Sequence, residues 1–157
     1  MAANQRTAVL VKPDGLHRGL IGEIISRFER KGLKLVGIKM INMTDEILSD
    51  WYVEHKEKSF FGDLKSFMGS APIVAMVWEG IDVVPVVRRL VGTTLGREAE
   101  GGSIRGDFGM SQQFNLIHAS ANIADAQREI GIVFDKDELF EYHSALEAVI
   151  YADYELN

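Results

Sequence analysis

The amino-terminal part of the chain contains a short, almost continuously apolar stretch, TAVLVK, at residues 7–12. Apolar side chains on both faces are typical of a central strand that is covered on both sides. A second buried strand is predicted over residues 73–78, and a strand at the edge of the sheet over 35–43. The stretch QFNLIH at residues 113–118 predicts a fourth strand that ends at His118.

Apolar residues at helical spacing separate these strands. Helices are predicted over residues 18–31, 44–56, 61–68, 83–91 and 122–134. Residues 92–109 carry six glycines and little periodicity, which indicates a long functional or mobile loop. The resulting order, β-α-β-αα-β-α-loop-β-α, fits the α/β (α+β) sandwich class. We expect a ferredoxin-like, four-stranded antiparallel sheet covered by helices.

Length and composition limit the classes of function. A chain of 157 residues with 46% hydrophobic content can bury one full core, so we expect a single domain over residues 1–157. The net charge of −6 argues against broad electrostatic binding to nucleic acid or to an anionic membrane. The absence of cysteine excludes disulfides and thiolate sites. No stretch approaches the length of a membrane span, and we expect a cytoplasmic location.

His118 is the candidate nucleophile. A neutral imidazole is nucleophilic near pH 7 when one ring nitrogen is held as a donor and the other is free. Glu129, which the pattern places in the second turn of the following helix, could hold it. If only the six residues of this strand are considered, a purely structural role for His118 is more common than a catalytic one.

Cationic side chains indicate a polyphosphate ligand. Lys12 closes the first strand before the turn signature Pro-Asp-Gly at residues 13–15, Arg88 lies in an otherwise apolar helix with Arg89, and Arg105 lies in the glycine-rich segment. Such groups fix phosphoryl oxygens through charge-assisted hydrogen bonds. For any one of them, a solvated face or a surface ion pair is the alternative. The chain has no Gly-x-x-x-x-Gly-Lys-Ser/Thr motif, so side chains must supply the phosphate contacts.

Several motifs in order resemble one known family. They are KPDG at residues 12–15, RGLIG at 18–22, MVWEG at 76–80, IRGDF at 104–108, and NLIH at 115–118 followed by Ser120. This combination resembles nucleoside diphosphate kinase over residues 6–151. The resemblance implies that a nucleoside triphosphate passes its terminal phosphoryl group to His118 and that a nucleoside diphosphate then takes it.

The resemblance also implies roles for particular side chains. It assigns five of them to the phosphates or to the surroundings of the histidine: Lys12, Tyr52, Arg88, Thr94 and Arg105. Phe60 would stack on the base with Leu64 beside it, and Asn115 would contact the sugar hydroxyls. Glu129 and Ser120 would orient the imidazole. Magnesium would arrive on the nucleotide phosphates, without a metal site built by the protein.

Some residues depart from the family pattern. Ala119 stands where the family usually has glycine, Ala121 where it has aspartate, and Gln112 where it has a small apolar residue beside the base. A methyl group at Ala119 requires a backbone that avoids positive φ. We expect the activity to persist with altered rate or stability. The alternative function is a catalytically weakened family member that binds nucleotide or serves as a scaffold, and the presence of every charged residue that the chemistry needs weighs against it. A nucleic-acid-binding role is opposed by the negative net charge.

The resemblance further implies a homo-oligomer, usually a hexamer and sometimes a tetramer. The edge strand over residues 35–43 and three tyrosines in the tail, Tyr142, Tyr151 and Tyr154, suggest surfaces for a second copy. The pair Leu95-Gly96 replaces a common Asn-Pro in the glycine-rich segment, which supports subunit contacts in the family. Because this change should weaken those contacts, we expect a dimer more than a full hexamer.

Overall fold

A computed structural model describes residues 5–156 of the chain. Within these residues a sheet contains β1 (Gln5–Val11), β2 (Lys34–Ile41), β3 (Ile73–Gly80) and β4 (Ile117–Ala119), and all of its neighbouring strands are antiparallel. The spatial order is β2-β3-β1-β4, so β1 and β3 are the inner strands. This architecture confirms the predicted fold class, the central position of residues 7–12 and the edge position of the strand predicted over 35–43.

Helices cover the sheet. They are α1 (Pro13–His17), α2 (Ile21–Lys31), α3 (Asp45–Trp51), α4 (Phe61–Met68), α5 (Val83–Val91), α6 (Ile104–Phe108), α7 (Ile123–Val133), α8 (Glu147–Ile150) and α9 (Asp153–Leu156). In the part of the chain that the structure describes, none of them is long and apolar enough to cross a membrane.

The inner strands are buried on both faces because their side chains alternate between two cores. Val9 and Val11 pack on one side with Trp78 and with the apolar faces of α2 and α5. Ala8 and Leu10 pack on the other side with α3, α4 and the end of α7. The continuous apolar pattern of β1 therefore serves two cores at once.

Local signals explain several helix ends. Gly32 adopts φ +95° directly after α2, a conformation in which glycine carries no steric cost. The Thr44 hydroxyl accepts from the amide of Ile47 at the start of α3, and the Asn122 side chain accepts from the amide of Asp125 at the start of α7. The helix predicted over 44–56 ends early, at Trp51, and is followed by a 3-10 turn at Val53–His55.

Residues 13–15 and 92–109 differ from the prediction. Residues 13–15 form no simple turn; they begin α1, because Pro13 suits the first position of a helix. Residues 92–109 are not a structureless loop. They contain a 3-10 turn at Gly96–Glu98 and then α6, which carries Arg105, and Gly96 packs directly against the backbone of Gly109.

The strand predicted over 113–118 is mostly wrong. Only Ile117–Ala119 pairs with β1, and His118 lies in the middle of this short strand rather than at its end. Leu116 adopts φ +75°, which breaks the extended conformation, and its amide donates to the Asp14 carboxylate at 3.0 Å. Ala119 has no positive φ, so its methyl group causes no backbone strain.

Gly106 allows α6 to pack against the segment before it. A Cβ at this position would overlap the carbonyl oxygen of Glu100. We expect Gly106→Ala to lower the free energy of unfolding by about 1–3 kcal/mol, measured by urea denaturation, because such overlap forces the backbone apart. Gly101→Ala is the control, since nothing lies within 4 Å of its added Cβ. Equal losses for both variants would contradict this packing.

Candidate active site

A cleft of about 650 Å³ opens beside β4. Its walls come from α3, the start of α4, the end of α5, α7 and residues 112–115. Apart from Ser120, the side chains that the sequence predicts for the site all line this cleft: Lys12, Tyr52, Phe60, Leu64, Arg88, Thr94, Arg105, Asn115, His118 and Glu129. Ser120 lies fully buried behind the cleft.

His118, Glu129 and Ser120 form a chain of hydrogen bonds. The Nε2 atom of His118 lies 3.0 Å from Oε1 of Glu129, and the Ser120 hydroxyl donates to Oε2 of the same carboxylate at 2.6 Å. The amide of Ala8 in β1 donates to the Ser120 oxygen at 3.2 Å. The catalytic candidate is thus connected to the central strand through buried polar groups.

The charge of Glu129 determines which nitrogen of His118 carries the hydrogen. Burial by itself favours the neutral acid, but the hydrogen bonds from His118 and Ser120 outweigh burial and lower the pKa of Glu129. An ionised carboxylate only accepts hydrogen bonds, so the hydrogen must lie on Nε2. The Nδ1 atom then keeps its lone pair, and no described residue forms a hydrogen bond with it.

Lys12 is a buried cation at the floor of the cleft. It is only 8% exposed, and its ammonium group donates to Oδ1 of Asn115 at 2.8 Å. Burial and the nearby charge of Arg105 lower the pKa of Lys12 to about 8, against an opposing effect of Asp14. This ammonium group is therefore under-solvated and suited to an incoming anion.

Arg105 holds the backbone around the site together. Its guanidinium donates to the carbonyl oxygens of Asn115, Gly92 and Ile117. A guanidinium has five N–H groups, so two remain for a ligand. Burial and the charge of Arg88 lower the pKa of Arg105 to about 10.

The Asn115 amide is almost fully engaged within the protein. Its Nδ2 donates to the carbonyl oxygens of Thr94 and Gln112 at 2.9 and 2.8 Å, and Oδ1 accepts from Lys12. Only the second lone pair of Oδ1 is available to a sugar hydroxyl. The contact between Asn115 and the sugar stays a prediction, whereas its contact with Lys12 is present in the structure.

The two neighbouring arginines of α5 face different surroundings. Both are exposed, but only Arg88 lines the cleft. Among residues 5–156 no hydrogen bond or ion pair engages the guanidinium of either arginine. Arg88 is therefore a free cation at the cleft, beside the exposed Thr94.

Aromatic side chains form the outer part of the cleft. Phe60 is 47% exposed, and its ring centroid lies 5.6 Å from that of His55. Leu64 follows one turn later on α4. Phe61 is instead partly buried and packs against the core. Tyr52 is buried beside His55, and burial together with the charge of Glu129 raises the pKa of its hydroxyl.

The sequence did not reveal three further residues of the cleft. The Trp51 ring lies 5.2 Å from the His118 ring at an interplanar angle of 73°. His55 lines the cleft although its local sequence resembles a helix end. Arg128 donates to the carbonyl oxygen of Asp50 at 3.0 Å. Only the position of Arg128 next to Glu129 was a signal that could have found it.

The arrangement suits transfer of a phosphoryl group. A neutral imidazole presents one lone pair, a buried ammonium and two guanidinium groups line the same cleft, and an exposed phenyl ring lies at its outer part. Phosphoryl transfer depends mainly on positioning and on cations that stabilise the transferred charge.

Comparison with known proteins gives the family. The family model described as "Nucleoside diphosphate kinase" matches residues 5–139. A nucleoside diphosphate kinase of Saccharolobus islandicus is 55% identical over 135 residues, which cover 86% of this chain and 98% of that protein. One from Bacillus thuringiensis is 48% identical over 147 residues, which cover 94% of this chain and 99% of that protein.

A solved structure agrees with these matches. The nucleoside diphosphate kinase of Halobacterium salinarum, in complex with CDP, is similar with a TM-score of 0.93 and 45% identity, covering 96% of this chain and all of that one. Similarity of this extent supports the same enzymatic activity in this chain, the transfer of a terminal phosphoryl group between nucleoside tri- and diphosphates. The chain belongs to the nucleoside diphosphate kinase family.

Proposed function

We propose that the kinase activity proceeds through a phosphohistidine at Nδ1 of His118. The observation that carries this proposal is the 3.0 Å contact between Nε2 and the ionised Glu129, which leaves Nδ1 free within a cleft lined by cations. The comparisons support an active enzyme, and no observation favours the alternative of a weakened binding or scaffolding member.

The reaction consists of two displacements at phosphorus. In the first, Nδ1 of His118 forms a bond to the terminal phosphorus of the nucleoside triphosphate, and the bond from that phosphorus to the bridging oxygen breaks. Its electron pair leaves with the nucleoside diphosphate. In the second, a terminal oxygen of another nucleoside diphosphate attacks the same phosphorus, and the N–P bond breaks. The Nε2 hydrogen stays on the ring, held by Glu129.

Three cations would hold the phosphates in both steps. Arg88 supplies a guanidinium without a protein partner, Arg105 supplies its two remaining N–H groups, and Lys12 supplies a partly desolvated ammonium. We place Thr94 and Tyr52, which contribute neutral hydroxyl groups, at the end of the cleft that holds the phosphates. The same side chains serve both half-reactions, because donor and acceptor nucleotides present the same chemistry.

We propose the magnesium complex of the nucleotide as the substrate. In the described part of the chain, no group of three or more His, Cys, Asp or Glu residues could hold a metal ion. The cleft instead offers cations that fit the phosphates. Magnesium bound to the phosphates would neutralise part of their charge.

The outer part of the cleft would hold the nucleoside. Phe60 offers an exposed aromatic face, and stacking tolerates every base because each base has a π surface. The relative from Halobacterium salinarum in complex with CDP supports a nucleotide in this type of fold. We place Leu64 beside the base and the free lone pair of Asn115 near the sugar hydroxyls.

We also propose a homo-oligomer and a cytoplasmic location. On the edge strand β2, Ile38 and Met40 are about half exposed, and apolar side chains of the tail, including Tyr142 and Tyr154, are exposed as well. Burial of such surface against a second copy would stabilise a dimer, tetramer or hexamer. Tyr151 contributes less, because its side chain is already partly buried and its hydroxyl accepts from the amide of Ile81.

His118→Ala should abolish both phosphorylation by ATP and exchange between nucleotides, because no other histidine combines a carboxylate partner with a place among the cations. Intact-mass spectrometry under neutral conditions measures the phosphoenzyme. His143→Ala is the matched control, since that side chain is exposed on the tail. A phosphoenzyme that persists in His118→Ala would contradict the assignment.

Arg88→Ala should lower kcat by about 10²–10³-fold, because it removes a contact to charge that shifts in the transition state. Arg89→Ala should remain close to wild type, since Arg89 lies on the same helix but outside the cleft. Steady-state kinetics with ATP and a nucleoside diphosphate compare the two. Losses of similar size would show that the cleft face of α5 is wrongly assigned.

The pH dependence of kcat/KM should report the loss of the proton from the Lys12 ammonium group. Its pKa is lowered to about 8, so the free enzyme holds the charged ammonium below this pH and loses it above. We therefore expect kcat/KM to fall as the pH rises through 8. Lys12→Met, neutral at every pH, should show a lower kcat/KM without this decline. A decline at the same pH in both proteins would assign it to another group.

A further inference from the structure

We propose that Trp51 is a positioning residue that fixes the ring plane of His118 for phosphoryl transfer. This inference rests on the proposed function of His118. Trp51 is the last residue of α3, is only 3% exposed and contributes to the wall of the cleft. Its ring meets the imidazole nearly edge to face, with centroids 5.2 Å apart and an interplanar angle of 73°.

A histidine nucleophile needs more than one restraint. Rotation about the Cβ–Cγ bond of histidine is broad and roughly two-fold, unlike the staggered wells of aliphatic side chains. The hydrogen bond to Glu129 fixes the position of Nε2, but a hydrogen bond tolerates tilts of tens of degrees. A large rigid ring against the imidazole narrows this remaining freedom. Glu129 thus selects the nitrogen, and Trp51 restricts the direction in which Nδ1 points.

The two restraints are joined to each other. Arg128, which precedes Glu129 on α7, donates to the carbonyl oxygen of Asp50 at 3.0 Å. Asp50 in turn precedes Trp51. A hydrogen bond therefore connects the helix that carries Trp51 to the helix that carries Glu129, and both of these residues contact His118.

The ring of Trp51, rather than its N–H group, provides the contact. The Nε1 atom is buried and has no hydrogen-bond partner in the described structure. A phenylalanine would keep an aromatic edge at this position and would remove an unpaired donor. A leucine would remain apolar but would lack the flat ring. The pair of variants therefore separates ring contact from general burial.

The inference predicts an effect on the chemical step. In the described structure, Trp51 forms no hydrogen bond, ion pair or ring contact with Lys12, Arg88 or Phe60, so nucleotide affinity should be preserved when Trp51 changes. Under saturating ATP we expect Trp51→Leu to slow single-turnover phosphorylation of His118 by about 10- to 100-fold, because small misplacement of a nucleophile costs that much. Trp51→Phe should restore most of the rate.

Trp78 provides the control. It is the second of the two tryptophans, lies fully buried against Phe28 with centroids 5.2 Å apart, and does not line the cleft. Its Nε1 atom is also buried without a partner. Trp78→Phe should therefore reproduce the chemical change of Trp51→Phe while the phosphorylation rate stays near wild type. Thermal unfolding of each variant confirms that folded protein is compared.

Tryptophan fluorescence tests the inference in a variant, Trp78→Phe, that should keep its full activity. In Trp78→Phe all indole emission comes from Trp51, so addition of the magnesium complex of ATP should change the emission at the rate at which mass spectrometry detects phosphohistidine. In Trp51→Phe the remaining emission comes from Trp78 and should stay constant. This comparison does not require Trp51→Leu to fold.

The outcomes distinguish a failure of this inference from a failure of the proposed function. If the unmodified chain forms no phosphohistidine, the proposed function fails and the inference fails with it. If phosphohistidine forms in the unmodified chain, two results would overturn the inference alone: wild-type rates in folded Trp51→Leu, or unchanged emission of Trp51 during phosphorylation. A higher KM at an unchanged rate would likewise assign Trp51 to binding instead of positioning.

Discussion

The guanidinium of Arg105 connects the end of α5 to the segment that leads into β4. It donates to Gly92 after α5, to Asn115 before β4 and to Ile117 within β4. These bonds hold the end of a helix, an irregular segment and an edge strand around one cleft. The hydrogen bonds to Asn115 and Ile117 are buried and the one to Gly92 is partly buried, so three carbonyl oxygens gain charge-assisted partners. The shape of the candidate site therefore depends on a cation that was expected from the sequence only to bind phosphate.

The buried cations share one electrostatic property. Burial lowers the pKa of Lys12 and of Arg105, and in each case a neighbouring positive charge lowers it further. Both charged forms are therefore less stable in this cleft than in water. An anion that enters the cleft would restore favourable interactions to both groups and raise their pKa values again. Phosphate binding and retention of the cationic state should reinforce each other.

The sequence predicted what local patterns determine. Residues 7–12 and 83–91 were placed correctly because apolar periodicity alone specifies a buried strand and an amphipathic helix. Residues 113–116 were placed wrongly because Leu116 adopts a positive φ, which interrupts the extended backbone, and because the Asn115 side chain binds Thr94, 21 residues away. His118 and the cations were predicted from residue type and motif, and they line one cleft. Trp51 and Arg128 were not predicted, because the hydrogen bond that joins α3 to α7 links residues 78 apart in the sequence.

Ser120 connects the reactive end of the cleft to the most protected part of the fold. Its oxygen accepts from the amide of Ala8 in β1, and its own amide donates to the Ala8 carbonyl oxygen. Inner strands commonly open to hydrogen exchange only when the whole domain unfolds, whereas peripheral helices and loops open locally. The geometry at His118 should thus persist through any local opening of the peripheral helix α4, which contributes Leu64 to the outer cleft. A rigid reaction centre beside an outer cleft that can adjust would accept bases of different size without moving the atoms that transfer the phosphoryl group.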